Sequence, residues 1–278
     1  MNLLDLEPKY ADYQIAMRRL FHTCPEASTK EFETAKLIRA ELDKMGISWR
    51  ECGMPTGTLA TIKGARPGRT ILLRGDIDGL EVTEKTGLEY ASKNEGFMHA
   101  CGHDCHISML LTAGKILNDL RDRLSGTVVL CFQPAEEVGK GAAAMIADGA
   151  LEGVDAAFGI HVWSDVPTGH VAVRTGPMMA AGDEFEIEVF GKAGHGAMPH
   201  CCADATLMAS AIALNLQTIV SRETDPIDTA VVTVGMLNSG TRFNVISGYA
   251  KLIGTTRCFK PEIRARFPEQ LERIAKET

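Results

Sequence analysis

Short apolar runs that end in carboxylates or a histidine constrain the fold of this chain more than any other feature. ILLRG (71–75) runs into Asp76 and Asp78, VVLCFQP (128–134) into Glu136 and Glu137, and AAFGI (156–160) into His161. TLATIKG (58–64) and GHVAVRTG (169–176) add two further strand candidates. Between the runs lie segments of helical period: Pro8 to Phe21, Thr29 to Met45 with Ser28 or Thr29 as cap and Gly46 as stop, the stretch after Asp104, and Ala142 to Leu151. Strands alternating with helices predict an α/β fold built on a mixed, largely parallel sheet flanked by helices. Open sheets of this kind bind ligands beyond the carboxyl ends of their strands, and the polar residues collect there.

The texture changes after TGPMMAAGD (175–183). EFEIEVFG (184–191) alternates apolar and charged residues, as a strand with one wet face does. A helix over 203–221, the strands TAVVTVGMLNSG (229–240) and GYAKLIGTTRCF (248–259), and a charged helix from Pro261 complete a smaller α+β unit. Two domains are therefore expected, residues 1–180 and 181–278, consistent with a length of 278 residues. With 29 Lys+Arg against 36 Asp+Glu and no long run of either sign, nucleic acid is not an expected partner. The start MNLLDLEPKYADY lacks a basic region followed by an apolar one, and no apolar stretch is long enough for a bilayer. A cytoplasmic location without membrane association is the expectation. The eight cysteines are scattered and read as reduced thiols, with the vicinal Cys201–Cys202 pair assigned to packing.

FMHACGHDCHISML (97–110) concentrates the potential ligands. Cys101 and His103 are two apart and can face one point from an extended or turn backbone, and Asp104 is placed to cap the following helix. A thiol near a helix amino terminus has a lowered pKa and can bind or bridge metal ions. Redox chemistry would favour a second cysteine two residues on, whereas Cys105 is four away; a polar helix cap with satisfied histidines is the remaining reading. His99 and His106 are expected to stand beside or behind the ligands. Glu136 and Glu137 would face opposite sides of a sheet if both were in a strand. Pro134 ends the strand before them, and Gly139 and Gly141 keep the turn open, so both carboxylates can aim inward; otherwise they form a solvated surface pair.

Taken in order, MHACGHDCH, FQPAEEVGKGAAAMI, GIHVW and GKAGHGAMPH, preceded by RRLFHTCPEASTKEFET, resemble the amidohydrolase branch of the M20 metallopeptidase family. The resemblance implies a zinc-peptidase-like catalytic domain over 1–180 and an inserted lid and dimerisation domain over 181–278. It also implies two divalent metals (zinc, manganese, nickel or cobalt) and hydrolysis of N-acyl amino acids or related small amides. By the same resemblance Cys101 bridges the metals, His103 and His161 complete one site, and Glu137 belongs to the other. Glu136 is the general base on a metal-activated water, and Asp78 orients a ligand; Asp76 is left without a definite role. His195, in the lid, hydrogen-bonds the developing oxyanion, commonly in the partner subunit of a homodimer. Asn244 and Arg257 contact the substrate, and His200 is an exposed loop histidine. Family members continue beyond the second lid helix and supply a final histidine ligand, whereas this chain stops at LERIAKET. One metal or none, and a fragment or an inactive remnant that keeps the fold and a lid dimer interface, are the expectations attached to that difference.

Overall fold

Adjacent apolar residues on the inner strands of the first sheet face opposite ways, and both faces are covered there. The computed structural model describes residues 7–278. They fall into two compact units, one ending at Pro167 and the other beginning at Thr168. In chain order the first contains α1 (Glu7–His22), α2 (Phe32–Lys44), β1 (Ser48–Cys52), β2 (Met54–Lys63), β3 (Arg66–Asp76), α3 (His103–Asp119), β4 (Ser125–Gln133), α4 (Gly141–Ala147) and β5 (Ala156–Gly159). The strand order is β1-β2-β4-β3-β5. Strand β3 is parallel to β4 and β5, β2 is antiparallel to β4, and β1 is antiparallel to β2. All of these strands except β2 therefore run in one direction. Ala60 and Leu130 join Phe21, Ile38, Ile107 and Leu111 in one buried cluster, while their neighbours Leu59 and Cys131 join Cys52, Leu72 and Met145 in another. This period of two, with apolar cover on each face, explains why the strands read as continuous apolar runs.

Several local expectations are corrected. Helix α2 starts at Phe32, and its free N–H groups are capped by Glu26, whose carboxylate accepts from Glu33 N (3.2 Å) and Thr34 N (2.8 Å), so neither Ser28 nor Thr29 is the cap. Asp104 lies inside the first turn of α3, where it meets Arg18 and His22, and Gly102 holds the cap position. GHVAVRTG forms no strand, and the run from Ala156 is a strand only to Gly159. Strand β1 was not anticipated. It turns into β2 through Gly53 at φ +72°, where an added Cβ would meet Met145 N at 2.5 Å.

The second unit contains β6 (Ala181–Phe190), β7 (Gly194–His195), α5 (Ala205–Asn215), α6 (Thr218–Glu223), β8 (Ala230–Ser239), β9 (Val245–Ile246), β10 (Tyr249–Cys258) and α7 (Pro261–Glu277). Strands β6, β10 and β8 form an antiparallel sheet with β10 central, and β7 pairs with β9. Val189, Ala209, Ile212, Leu216, Leu252 and Phe267 form its buried core. The expected single helix is two, α5 and α6, with Asp204 capping the first through Thr206 N and Leu207 N. Among the described residues no helix is long and apolar enough to cross a membrane.

Candidate metal centre

The parallel strands β3, β4 and β5 end at Asp76, Gln133 and Gly159, so the segments that follow them emerge on one rim of the sheet. Those segments carry Asp78, Glu136–Glu137 and His161, and the amino terminus of α3 brings Cys101, His103 and His106 to them. Gly102 makes the last step possible. It lies at φ +86°, and an added Cβ would sit 2.4 Å from Val162 Cγ2. A side chain there meets both a left-handed backbone and a filled space. Gly102→Ala is expected to destabilise the fold by about 1–3 kcal/mol and to weaken metal binding, read by urea unfolding and metal titration; a variant matching the parent in both would contradict this.

His103 is fully buried. Its Nδ1 lies 2.9 Å from Asp78 O and 3.1 Å from Asp78 Oδ1, acceptors that require Nδ1 to carry the hydrogen. Nε2 is thereby left with its lone pair, and it has no hydrogen-bond partner. Within reach of it are Asp76 Oδ2 at 3.6 Å, Glu137 Oε1 at 3.7 Å and Glu136 Oε2 at 4.0 Å. Glu137 Oε1 is likewise buried without a partner. Cys101 Sγ stands 3.4 Å from His161 Nε2, and His161 Nδ1 donates to Val162 O at 2.6 Å. Three triads bring one candidate ligand atom per residue within 4.8 Å of one another: Cys101/His103/His161, His103/Glu136/Glu137 and Asp76/His103/His106.

Hydrogen bonding separates the third triad from the other two. His106 Nδ1 donates to Asp76 Oδ1 in a short contact, and its Nε2 accepts the Val162 N–H at 2.9 Å. With both nitrogens engaged, His106 has no lone pair to offer and instead ties α3 to the end of β3 and to the segment after β5. Asp76 Oδ2 has no partner of hydrogen-bond geometry, but its ion pair with Arg74 satisfies it electrostatically.

The titration of these groups reflects crowded negative charge. Burial opposes ionisation of Asp76, yet the His106 hydrogen bond and the charges of His103 and Arg74 hold its carboxyl below the usual range. Asp78 is also buried and is held low by hydrogen bonds from His103, Ser28 and the Glu137 N–H. Burial first, then Glu137 and Asp76, raises Glu136. Cys101 moves opposite to the expectation for a helix amino terminus: burial, then Glu137, pushes the thiol up to about 12. Carboxylates that repel each other and a thiol that holds its proton are what a divalent cation would offset. The unpartnered His103 Nε2 and Glu137 Oε1 fit a metal ligand set of imidazole, carboxylate and thiolate.

The remaining predicted residues lie in the second unit. His195 pairs with Val245 across β7 and β9, and its Nδ1 accepts the Ala197 N–H at 3.1 Å, leaving Nε2–H as an outward donor on an exposed side chain. The Asn244 carbonyl accepts the Gly196 N–H at 2.9 Å, so His195 and Asn244 share one loop cluster. Arg257 does not join them. It lies near the far end of β10 and bonds its own strand at Thr255 Oγ1 and at Thr256 O (2.8 Å). His200 is exposed in a short 3-10 turn. His99 is buried with neither ring nitrogen bonded, and burial lowers it to about 4. Sequence reasoning missed Ser28, whose Oγ donates to Asp78 Oδ2 at 2.7 Å, the locked Asp76–His106 pair, and Glu31. The only signal for Ser28 and Glu31 was their place within the family-like opening segment.

The pattern of peptidase family M20/M25/M40 matches residues 72–251. An N-acetyl-L-cysteine deacetylase of Bacillus subtilis is 46% identical over 264 residues, 95% of this chain and 62% of that protein. An N-acyl-L-amino acid amidohydrolase of Geobacillus stearothermophilus is 43% identical over 265 residues, 94% of this chain and 71% of that protein. Among solved structures, a dinuclear metal-binding M20 peptidase from Bacillus subtilis superposes with a TM-score of 0.79 at 39% identity, covering 96% of this chain and 70% of that one. The chain thus spans roughly three fifths to seven tenths of the length of these relatives.

Proposed function

We propose, from the premise that this chain belongs to peptidase family M20/M25/M40, that it carries the metal centre of an amidohydrolase that cleaves the amide bond of N-acyl amino acids or related small amides. The observation that carries this reading is the buried, unpartnered pair of His103 Nε2 and Glu137 Oε1, 3.7 Å apart beside Cys101 and His161. Relatives named for N-acetylcysteine and N-acyl amino acids supply the substrate class.

In this reading Cys101, His103, His161 and Glu137 would hold two divalent cations, with zinc, manganese, nickel and cobalt all compatible with the ligand set. Bound there, the cations supply electrophilic polarisation of the scissile carbonyl and acidify water. Asp78 accepts the His103 Nδ1–H and so presents the Nε2 lone pair. Glu136 takes a proton from the attacking water and returns it to the departing amine nitrogen as the carbon–nitrogen bond breaks, giving a carboxylate and a free amine. His195 donates to the developing oxyanion and Asn244 contacts the substrate, while Arg257, held by its own strand near the far end of β10, is given no part in that contact. Residues 1–180 act as the catalytic domain and 181–278 as the lid, through which two copies form a homodimer. Eight unpaired cysteines accord with a reducing, cytoplasmic setting.

The test combines metal analysis with an assay on N-acetyl and N-benzoyl amino acids. Hydrolysis that is lost on chelation and recovered on adding back zinc, manganese, nickel or cobalt is the expected result. A protein that binds metal stoichiometrically, dimerises and hydrolyses none of these amides would instead be a non-catalytic remnant of the fold.

A further inference from the structure

We propose that Glu31 is a positioning residue that clamps the turn carrying Glu136 and Glu137. Its side chain is fully buried (0% exposed). Oε1 accepts two backbone hydrogen bonds, from Thr29 N at 2.9 Å and from Ala135 N at 2.8 Å, and Oε2 accepts the Thr56 hydroxyl at 2.8 Å. Thr29 (φ +70°) and Ala135 (φ +50°) are the non-glycine residues of positive φ among those described. Left-handed backbone is unfavourable for any residue with a Cβ and persists where surrounding contacts over-determine it. One buried oxygen provides that contact for both strained residues at once.

The two strained residues sit next to groups of the candidate metal centre. Ser28, before Thr29, donates Oγ to Asp78 Oδ2 at 2.7 Å, and Glu137, two residues after Ala135, donates its N–H to the same oxygen at 3.0 Å. Two carboxyl groups therefore bridge the same pair of loops. Asp78 joins Ser28 to Glu137, and Glu31 joins Thr29 to Ala135. Asp78 reaches His103 directly. Among the described residues Glu31 makes no side-chain hydrogen bond to a candidate ligand and reaches Glu136 and Glu137 through Ala135, whose carbonyl also accepts from Lys140 N (3.1 Å) and Gly141 N (3.2 Å) to close the turn. The direction in which Glu136 and Glu137 leave the strand is thus set by a side chain about a hundred residues earlier in the chain.

The clamp stands on the geometry, while its kinetic consequence rests on the amidohydrolase reading. The test compares Glu31→Ala, Glu31→Gln, Ala135→Gly and the Glu31→Ala/Ala135→Gly pair in the full chain. Amide hydrogen exchange over residues 133–139, metal affinity and, where there is turnover, kcat and KM are measured. In Glu31→Ala, exchange over 133–139 should rise by about tenfold or more, while α3 stays protected and kcat falls by roughly 10- to 100-fold with little change in KM. Glutamine retains an oxygen for both N–H groups and can point its amide nitrogen at the Thr56 hydroxyl, so Glu31→Gln should exchange like the parent in this segment. It carries the test if Glu31→Ala does not fold. Glycine at 135 removes the conformational penalty, so the double variant should recover part of the protection and of kcat lost in Glu31→Ala. Equal acceleration in Glu31→Gln and Glu31→Ala, or no recovery in the double variant, would overturn the clamp. Exchange reports without hydrolysis: the expected exchange pattern in a protein that turns over no amide would retain the clamp and remove the amidohydrolase reading.

Discussion

Glu136→Gln should lower kcat on N-acyl amino acids by roughly 10²–10⁴-fold, the range for loss of a positioned general base, with metal content and KM close to those of the parent protein. Glutamine keeps the size of the side chain and cannot accept a proton at neutral pH. Glu136 is partly exposed and is not needed to fill the core, so a folding defect is not the expected cause of such a loss. The pH profile gives a second reading. The base works only when deprotonated, and burial, Glu137 and Asp76 all raise its carboxyl. Activity should therefore fall on the acid side as Glu136 takes up its proton, at a pH that a bound cation draws down from the raised metal-free position. Turnover in Glu136→Gln within a few-fold of the parent would assign the proton transfer to another group.

His103→Ala should abolish both metal binding and hydrolysis, and it should also weaken the fold. His103 belongs to all three triads, so its imidazole cannot be removed without opening each of them. The loss in metal affinity should exceed the 10- to 100-fold typical of residues behind a ligand. Its removal also leaves the buried Asp78 carboxylate without its Nδ1–H donor. Removing one donor from a buried carboxylate costs about 1–3 kcal/mol, so the metal-free variant should unfold at lower denaturant than the metal-free parent. Metal titration and urea unfolding read the two effects separately. Retention of parental metal affinity would remove His103 from the centre.

Much of this centre was legible from periodicity and strand ends. ILLRG and VVLCFQP are rich in apolar residues because their strands are covered on both faces, whereas AAFGI forms the exposed edge strand β5, and each delivers its polar residues to the same rim. The errors fell where local pattern and long-range partner disagree. SWREC reads poorly as a strand because it lies on the sheet edge with most of its residues at least partly exposed, while GHVAVRTG has strand character but no ladder partner among the described residues. Ser28 and Thr29 have the right composition for a helix cap, yet Glu26 reaches the N–H groups first and Ser28 is drawn to Asp78. Cys101 stands at a helix amino terminus, but burial beside Glu137 outweighs the helix and raises the thiol.

By itself the amino-acid sequence determined the alternation of elements, the family, and the set of sulfur, nitrogen and oxygen donors available at the ends of the strands. Side-chain chemistry and short-range periodicity are written in consecutive residues. The tertiary structure alone decided which donors are free. His103 keeps one lone pair because Asp78 takes its other nitrogen, His106 loses both to Asp76 and Val162, and Glu31 meets Ala135 across 104 positions of chain. A hydrogen bond depends on distance and direction to within fractions of an ångström, and for residues so far apart in the chain those are set only when the sheet and its helices have closed around them.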